Sequence, residues 1–211
     1  MAGEADLSAA LVAAQGGDAQ GFEVLWQALQ PALLRYLRVV AGDAAEDVAS
    51  ETWLQVVRDL GGFRGDAAAF RVWLFRIARN RGLDHHRRAG RRREDPDDGV
   101  LRERVGGGAA VEDEALDGLA TEWALRLVAS LPRQQAEAVM LRVVAGLDVA
   151  QSARVLGRRP GAVRVATMRG LRRLAQNAEV LARQGARGAA TQPGGRRWSV
   201  QPTGSAGVVT R

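Results

Sequence analysis

Arginines recur at close spacing through residues 157–174, which read GRRPGAVRVATMRGLRRL. On a helical wheel with about 3.6 residues per turn, one half carries side chains suited to phosphates and base edges: Arg164, Val165, Met168, Arg169, Arg172 and Arg173. The other half carries side chains suited to a core: Val163, Ala166, Thr167, Gly170, Leu171 and Leu174. A short helical pattern over residues 149–156 comes first, and Gly157 separates the two. This layout predicts a helix-turn-helix whose second helix enters the DNA major groove; a solvated basic helix is the alternative.

The charge is distributed in blocks along the chain. Residues 1–63 have a net charge of −6, residues 70–93 of +8, residues 94–117 of −7 and residues 119–211 of +11. Two basic blocks separated by an acidic one predict two nucleic-acid contacts on one chain. The acidic first block is a better candidate for a protein interface.

Composition excludes several function classes. The chain has no cysteine, which rules out disulfides and thiolate chemistry. We find no nucleophile–base pair, glycine-rich phosphate loop or metal-ligand cluster, and so predict no enzyme activity, no cofactor and no metal. His85 and His86 are the only histidines, and a plain surface role is expected of them. No segment approaches the roughly 18 apolar residues of a membrane helix, and the start lacks a basic signal-peptide region, which predicts a cytoplasmic protein without membrane insertion.

Apolar periodicity divides the chain into helical domains. It predicts helices from residue 1 to about residue 88, within a first domain of residues 1–93. Pro31 is either a kink or the start of a new helix, and Asp43 is a candidate cap for a helix over residues 45–60. Glycine, proline and charge dominate residues 94–117, a predicted flexible linker. A second domain is expected over residues 118–183 and a disordered tail over residues 184–211. The predicted fold is all-α: two small helical domains joined by a flexible acidic linker, the second containing the helix-turn-helix.

Two long segments carry a family resemblance. Residues 45–88 read AEDVASETWLQVVRDLGGFRGDAAAFRVWLFRIARNRGLDHHRR, and residues 130–174 read SLPRQQAEAVMLRVVAGLDVAQSARVLGRRPGAVRVATMRGLRRL. The first resembles conserved region two, and the second region four, of the extracytoplasmic-function (ECF) sigma factors of bacteria. The resemblance implies a promoter-specificity subunit that binds core RNA polymerase, recognises promoters and helps to melt them.

The resemblance implies that the helix over residues 45–60 binds the clamp coiled coil of the polymerase. Asp47, Glu51 and Gln55 are spaced by four, so they lie on one helix face, and such a row of polar groups suits a basic partner. The implied polymerase-binding residues are Asp47, Ser50, Glu51, Leu54 and Gln55. The family usually has Gln at the position of Ser50. The alternative is an ordinary solvated acidic face.

Residues 63–93 resemble the element that melts DNA and reads the minus-ten element. The residues implied in DNA binding are Phe63, Arg64, Gly65, Asp66, Arg71, Arg76, Arg79, Asn80, Arg87 and Arg88. Stacking of a base on an aromatic or arginine plane stabilises by about 1–3 kcal/mol, which can offset the cost of capturing a flipped base. Trp73 and Ile77 are expected in the core, with Asn80 in the same helical stripe.

The helix-turn-helix resembles the unit that reads the minus-thirty-five element. The residues implied in DNA binding there are Arg158, Arg159, Arg164, Val165, Met168, Arg169, Arg172 and Arg173. The family often has Ser or Thr at Arg159 and an apolar residue at Ser152, so a side-chain cap is missing and looser packing is expected.

The resemblance also implies partners: core RNA polymerase (clamp coiled coil and flap), promoter DNA and an anti-sigma factor. The linker would thread the polymerase channel, or merely be soluble. Three other functions stay open from the residues alone. They are a stand-alone helix-turn-helix regulator binding an operator as a dimer, a nucleic-acid binder acting by charge alone, and an enzyme with an appended DNA-binding module.

Overall fold

The computed structural model describes residues 4–93, 112–178 and 180. Every regular element within these ranges is helical, which confirms the all-α prediction. The first region contains four α-helices: α1 (Glu4–Gln15), α2 (Ala19–Val40), α3 (Ala45–Asp59) and α4 (Ala67–Arg93). Two 3₁₀ turns, Gly42–Ala44 and Leu60–Gly62, lie on either side of α3.

The second region contains α5 (Glu112–Ala129), α6 (Arg133–Val139), a π-helical turn (Met140–Val144), α7 (Val149–Leu156) and α8 (Pro160–Ala175). Helix α5 begins inside the segment predicted as a linker, so residues 112–117 are helical. Its sequence opens with EDE, and acidic residues are favoured where a helix begins. The rest of the predicted linker, residues 94–111, and the predicted tail, residues 184–211, lie outside the described residues.

Helix α2 runs through Pro31 without interruption. The Asp18 side chain caps its start by accepting a hydrogen bond of 3.0 Å from the Gln20 amide. Its buried residues recur at three and four, as an amphipathic helix requires: Gly21, Leu25, Leu29, Leu33, Tyr36, Leu37 and Val40. Asp43 does not cap α3; the residue before α3 is Ala44, whose side chain makes no capping bond.

The two regions share one apolar core. Tyr36 of α2 and Phe75 of α4 are fully buried, with ring centroids 5.5 Å apart in an edge-to-face arrangement. The same buried cluster includes Leu125, Met140 and Leu141 of the second region. Residues up to 174 accordingly form one compact unit. The domain boundaries predicted from the sequence stay a prediction.

Candidate nucleic-acid interface

The helix-turn-helix of α7 and α8 is fixed by local hydrogen bonds. Asp148 and Gln151 form a reciprocal capping box at the start of α7, with both bonds 2.7 Å long. Gly157 ends α7 in the left-handed conformation, φ 62° and ψ 38°, which an L side chain adopts only with strain. The Arg159 carbonyl accepts bonds from the first free amides of α8, including that of Val163, whose side chain is buried. The turn therefore sets the direction in which α8 projects.

The outer face of α8 is exposed, as the helical wheel predicts. All eight residues proposed to contact the minus-thirty-five element are exposed: Arg158 and Arg159 in the turn before α8, and Arg164, Val165, Met168, Arg169, Arg172 and Arg173 on the helix itself. Met168 is 60% exposed although it is apolar. An exposed apolar side chain among arginines suits the DNA major groove, which presents thymine methyl groups on its floor and phosphates along its edges.

Leu171 differs from the prediction that it faces the core, since it is 45% exposed. The preceding residue, Gly170, does meet α6: a Cβ at this position would lie 2.8 Å from Cγ2 of Val139 and 3.4 Å from the Gln135 backbone oxygen. One residue further on, a helix has rotated by about 100°, so Leu171 turns away from this contact. Gly170 thus lets α8 lie close to α6.

Ser152 of α7 is fully buried, and its hydroxyl has no hydrogen-bond partner. A buried hydroxyl without a partner costs about 1–3 kcal/mol. We therefore expect Ser152→Ala to raise the free energy of unfolding by about 1 kcal/mol, measured by urea denaturation. Ser130→Ala is the matched control, because the Ser130 hydroxyl donates a 2.7 Å bond to the Leu127 carbonyl. If Ser152→Ala lowers stability as much as the control does, the hydroxyl is satisfied after all.

Helix α3 buries one face and exposes the other. Of the five residues proposed to bind polymerase, Asp47, Ser50, Glu51 and Leu54 are exposed, and Gln55 is half-buried. Leu54 is 62% exposed. An exposed apolar side chain beside acidic groups is typical of a protein-binding surface. On the same face, Glu51 and Gln55 also pair with Arg81 of α4.

The loop before α4 is held in place from both sides. Gln15 of α1 donates bonds to the carbonyls of Phe63 (2.8 Å) and Leu60 (3.2 Å). The Arg64 guanidinium donates to the Phe63 carbonyl at 2.8 Å. The Asp66 side chain accepts from the third amide of α4 at 2.7 Å, as an N-cap does. Arg64 and Asp66 are exposed but are already engaged in shaping the loop.

Aromatic rings connect this loop with α4. Phe63 stacks on Trp73 at 5.0 Å and meets Phe70 edge-on at 5.7 Å. Phe63 and Trp73 are half-buried and Phe70 is buried. One side of this cluster therefore remains accessible to solvent.

A cavity of about 430 Å³ lies between α3 and α4. Trp73, Ile77 and Asn80 line it together, as their helical spacing predicts. The rest of the lining is polar or charged: Glu51, Gln55, Arg76, Arg81, Asp84, His85 and Arg88. The cavity thus brings residues of the proposed polymerase-binding face and of the proposed DNA-binding segment to one place.

Comparison with known proteins decides the family. Residues 25–92 match Sigma-70 region 2, and residues 121–174 match Sigma-70 region 4. SigD of Mycobacterium tuberculosis, an ECF RNA polymerase sigma factor, is 34% identical over 174 residues, which are 80% of this chain and 82% of SigD. The chain belongs to the ECF RNA polymerase sigma factors.

Other relatives of this sigma factor agree. The ECF sigma factor ShbA of Streptomyces griseus is 36% identical over 173 residues, which are 77% of this chain and 90% of ShbA. BldN of Streptomyces coelicolor is 36% identical over 165 residues, which are 77% of this chain. The match spans 62% of the length of BldN.

Two solved structures share the fold of this sigma factor. CnrH, solved with the cytosolic domain of CnrY, has a TM-score of 0.57 and 21% identity, and the match covers 81% of this chain and 96% of CnrH. RpoE of Bartonella quintana, solved with the anti-sigma factor NepR, has a TM-score of 0.58 and 23% identity. That match covers 75% of this chain and 96% of RpoE.

The structure separates the predicted DNA-binding residues of α4 into two groups. Arg76, Asn80, Arg87 and Arg88 are exposed. Two further arginines, at positions 71 and 79, are half-buried and face the second region of the sigma factor instead. At about 100° per residue, Asn80 lies on the opposite side of α4 from position 71, so one helix cannot present both to the same strand.

Three pairings that organise the site were missed by sequence reasoning. Gln15 holds the loop, Arg81 binds Glu51 (2.8 Å) and Gln55 (3.1 Å), and Glu137 binds Arg79 (2.8 Å). Each bond joins residues at least 26 positions apart. Spacing along the chain carries no signal for such pairs.

His85 is exposed within α4, eight residues before that helix ends. Among the described residues, no group of three or more His, Cys, Asp or Glu side chains could hold a metal ion. None of the described helices is both long and apolar enough to cross a membrane.

Proposed function

We propose that this sigma factor binds core RNA polymerase and directs it to promoters. The observation that carries the proposal is the exposed Leu54 beside Asp47 and Glu51 on α3, a face that a regulator acting alone on DNA does not need. We assign α3 to the clamp coiled coil of the polymerase and a surface of the second region to the flap.

Each half of the promoter is assigned to one region. Phe63 and Trp73, with the exposed Asn80 of α4, would receive unstacked bases of the minus-ten element. The exposed face of α8 would enter the major groove at the minus-thirty-five element, where arginine forks read guanine. Phosphate contacts by Arg172 and Arg173 would add affinity without sequence information.

Regulation is proposed by a protein that covers these surfaces. Two proteins of the same fold were solved with a bound partner, and in one the partner is an anti-sigma factor. We propose an anti-sigma factor for this chain as well. We assign no catalytic activity to the sigma factor itself, and we place its action in the cytoplasm, where polymerase and chromosomal DNA are found.

The division of the chain is also proposed. We assign residues 1–93 to polymerase and minus-ten binding, residues 118–183 to minus-thirty-five binding and residues 184–211 to a tail. Residues 94–117 are assigned to the connection between the two regions, and the last six of them already belong to α5. The linker would let the two regions separate when they reach their promoter elements.

The test is run-off transcription with purified core polymerase on sheared genomic DNA, followed by sequencing of RNA 5′ ends. We expect discrete start sites that share two upstream motifs and appear only when the chain is added. Start sites would be absent for a stand-alone regulator, which would instead bind an operator tightly without polymerase.

Leu54→Asp is expected to weaken binding to core polymerase by about 30-fold, since burying a charge in place of an apolar contact costs about 2 kcal/mol or more at an interface hot spot. The measurement is the Kd from fluorescence anisotropy of labelled chain titrated with core polymerase. Val12→Asp on α1 is the matched control, because Val12 is 70% exposed but lies on another helix. Equal loss in both variants would contradict the assignment of α3.

A further inference from the structure

Glu137 of α6 is a buried carboxylate shared by two arginines. Its side chain is 4% exposed. One oxygen accepts a 2.8 Å bond from Nε of Arg79, and the other a 2.8 Å bond from Nε of Arg133. Arg133 lies one turn away on the same helix, whereas Arg79 comes from α4. The bond to Arg79 therefore ties the two promoter-reading regions together.

Apart from the two arginines, Glu137 lies among apolar side chains, including Val40, Leu131 and Ala136. Tyr36 is fully buried beside it, and the Tyr36 hydroxyl has no hydrogen-bond partner. Burial raises the pKa of Tyr36, and the nearby charge of Glu137 raises it further. A carboxylate in such a place is stable only while it is paired. Loss of the bond to Arg79 should thus loosen the packing of the two regions, whereas without Arg133 the carboxylate stays paired with Arg79.

Arg71 and Arg79 of α4, which face the second region, belong to the residues proposed to contact DNA. Arg79 is held by Glu137, and an Arg71 nitrogen lies near Gly146, in the turn before α7. The Arg71 Nε is buried without a hydrogen-bond partner. A guanidinium binds a phosphate through the same planar fork with which it binds a carboxylate. In this arrangement the second region occupies the arginines that the DNA backbone would use.

Distance gives an independent reason for the regions to part. Elements centred 25 base pairs apart are separated by about 85 Å at 3.4 Å per base pair. A compact unit of 174 residues has a radius of gyration of about 16 Å. Two regions that share one core cannot reach both elements, so promoter binding requires that they separate.

We propose that the Glu137 carboxylate stands in for a DNA phosphate on Arg79, so that closure of the second region and binding of the DNA backbone by α4 exclude each other. This inference rests on the proposed function of α4. It makes the packed arrangement a closed form, in which free sigma factor binds DNA poorly, and it makes the DNA backbone the competitor that releases Glu137.

Energy transfer between two dyes tests closure in the full-length chain without polymerase. The chain has no cysteine, so Ala9→Cys and Ala150→Cys, both at exposed positions of α1 and α7, give unique labels. We expect one high-transfer population in the parent. Glu137→Gln and Arg79→Gln should each increase the low-transfer population by about tenfold. Arg133→Gln, which leaves the bond between the regions in place, should not.

DNA binding separates the two variants. The probe is a random-sequence single-stranded 20-mer, measured by fluorescence anisotropy. Glu137→Gln should bind the 20-mer about tenfold more tightly than the parent does, because Arg79 is released. Arg79→Gln should also open, but its affinity for the 20-mer should not rise, because the released arginine is missing. The charge-reversed pair, Arg79→Glu with Glu137→Arg, should restore high transfer, which a merely unfolded variant could not do.

The proposal is overturned if Glu137→Gln keeps the energy transfer of the parent, or if it opens without binding the 20-mer more tightly. Circular dichroism identifies a variant that has lost its helices. If Glu137→Gln has lost them, the energy transfer of the charge-reversed pair decides whether the proposal holds. Run-off transcription is scored separately. If the parent chain gives start sites but Glu137→Gln keeps the parent's energy transfer, only the closed form is refuted. If Glu137→Gln opens but the parent chain gives no start sites, only the proposed function is refuted.

Discussion

Replacing Arg164 and Arg169 together by alanine should reduce transcription from promoters that depend on the minus-thirty-five element by about 100-fold. Both side chains lie on the exposed face of α8, and neither is ion-paired within the part of the chain that the structure describes. A bidentate arginine–guanine contact discriminates by about 1–3 kcal/mol, and two contacts of about 1.4 kcal/mol each account for this factor. Run-off transcription at saturating core polymerase measures it.

Two controls locate the effect in base recognition. Arg126→Ala removes an exposed arginine that is paired with Glu122 on α5, and should leave transcription unchanged. Arg172→Ala with Arg173→Ala should weaken binding to every sequence and lower the salt dependence of the Kd by about one unit of slope for each phosphate contact. If the variant that lacks Arg164 and Arg169 loses the same factor at every promoter sequence, these arginines bind phosphate, and other side chains of α8 read the bases.

Helical geometry explains why the α8 surface could be predicted and its neighbours could not. The periodicity of a helix assigns each side chain to a face, and the apolar stripe marks the buried one. Leu171 was predicted in the core because an apolar residue on the core half of the wheel looks buried; only the close approach of Gly170 to Val139 shows otherwise. Sequence gives the direction of a side chain and not the neighbour that it meets.

The arginines of α4 show the same limit more strongly. A basic run predicts a nucleic-acid surface, and Arg76 and Arg88 are indeed exposed. Arg79 has the same chemistry, but its partner Glu137 lies 58 residues later in the chain. Nothing in the local pattern distinguishes a charge that meets solvent from one that meets the other region.

Phe75→Ala should lower the free energy of unfolding by about 3–5 kcal/mol, the usual cost of removing a fully buried aromatic side chain. Phe75 is completely buried and packs edge-on against Tyr36. This loss is a large part of the roughly 5–15 kcal/mol of a typical domain, so we expect a marked fall in the urea midpoint. Val12→Ala, at a 70% exposed position, should change stability by less than about 0.5 kcal/mol.

The shape of the transition carries the second half of this prediction. Since Leu125, Met140 and Leu141 belong to the same core as Phe75, the substitution should destabilise both regions in one transition. With Trp123→Phe and Trp198→Phe, the remaining tryptophans are Trp26, Trp53 and Trp73, all in the first region. Their fluorescence then follows that region, and backbone circular dichroism follows all helices. Coincident curves are expected in the parent and in the variant. If the variant instead leaves a helical remainder that melts at the original midpoint, the second region folds by itself, and the shared core contributes little to its stability.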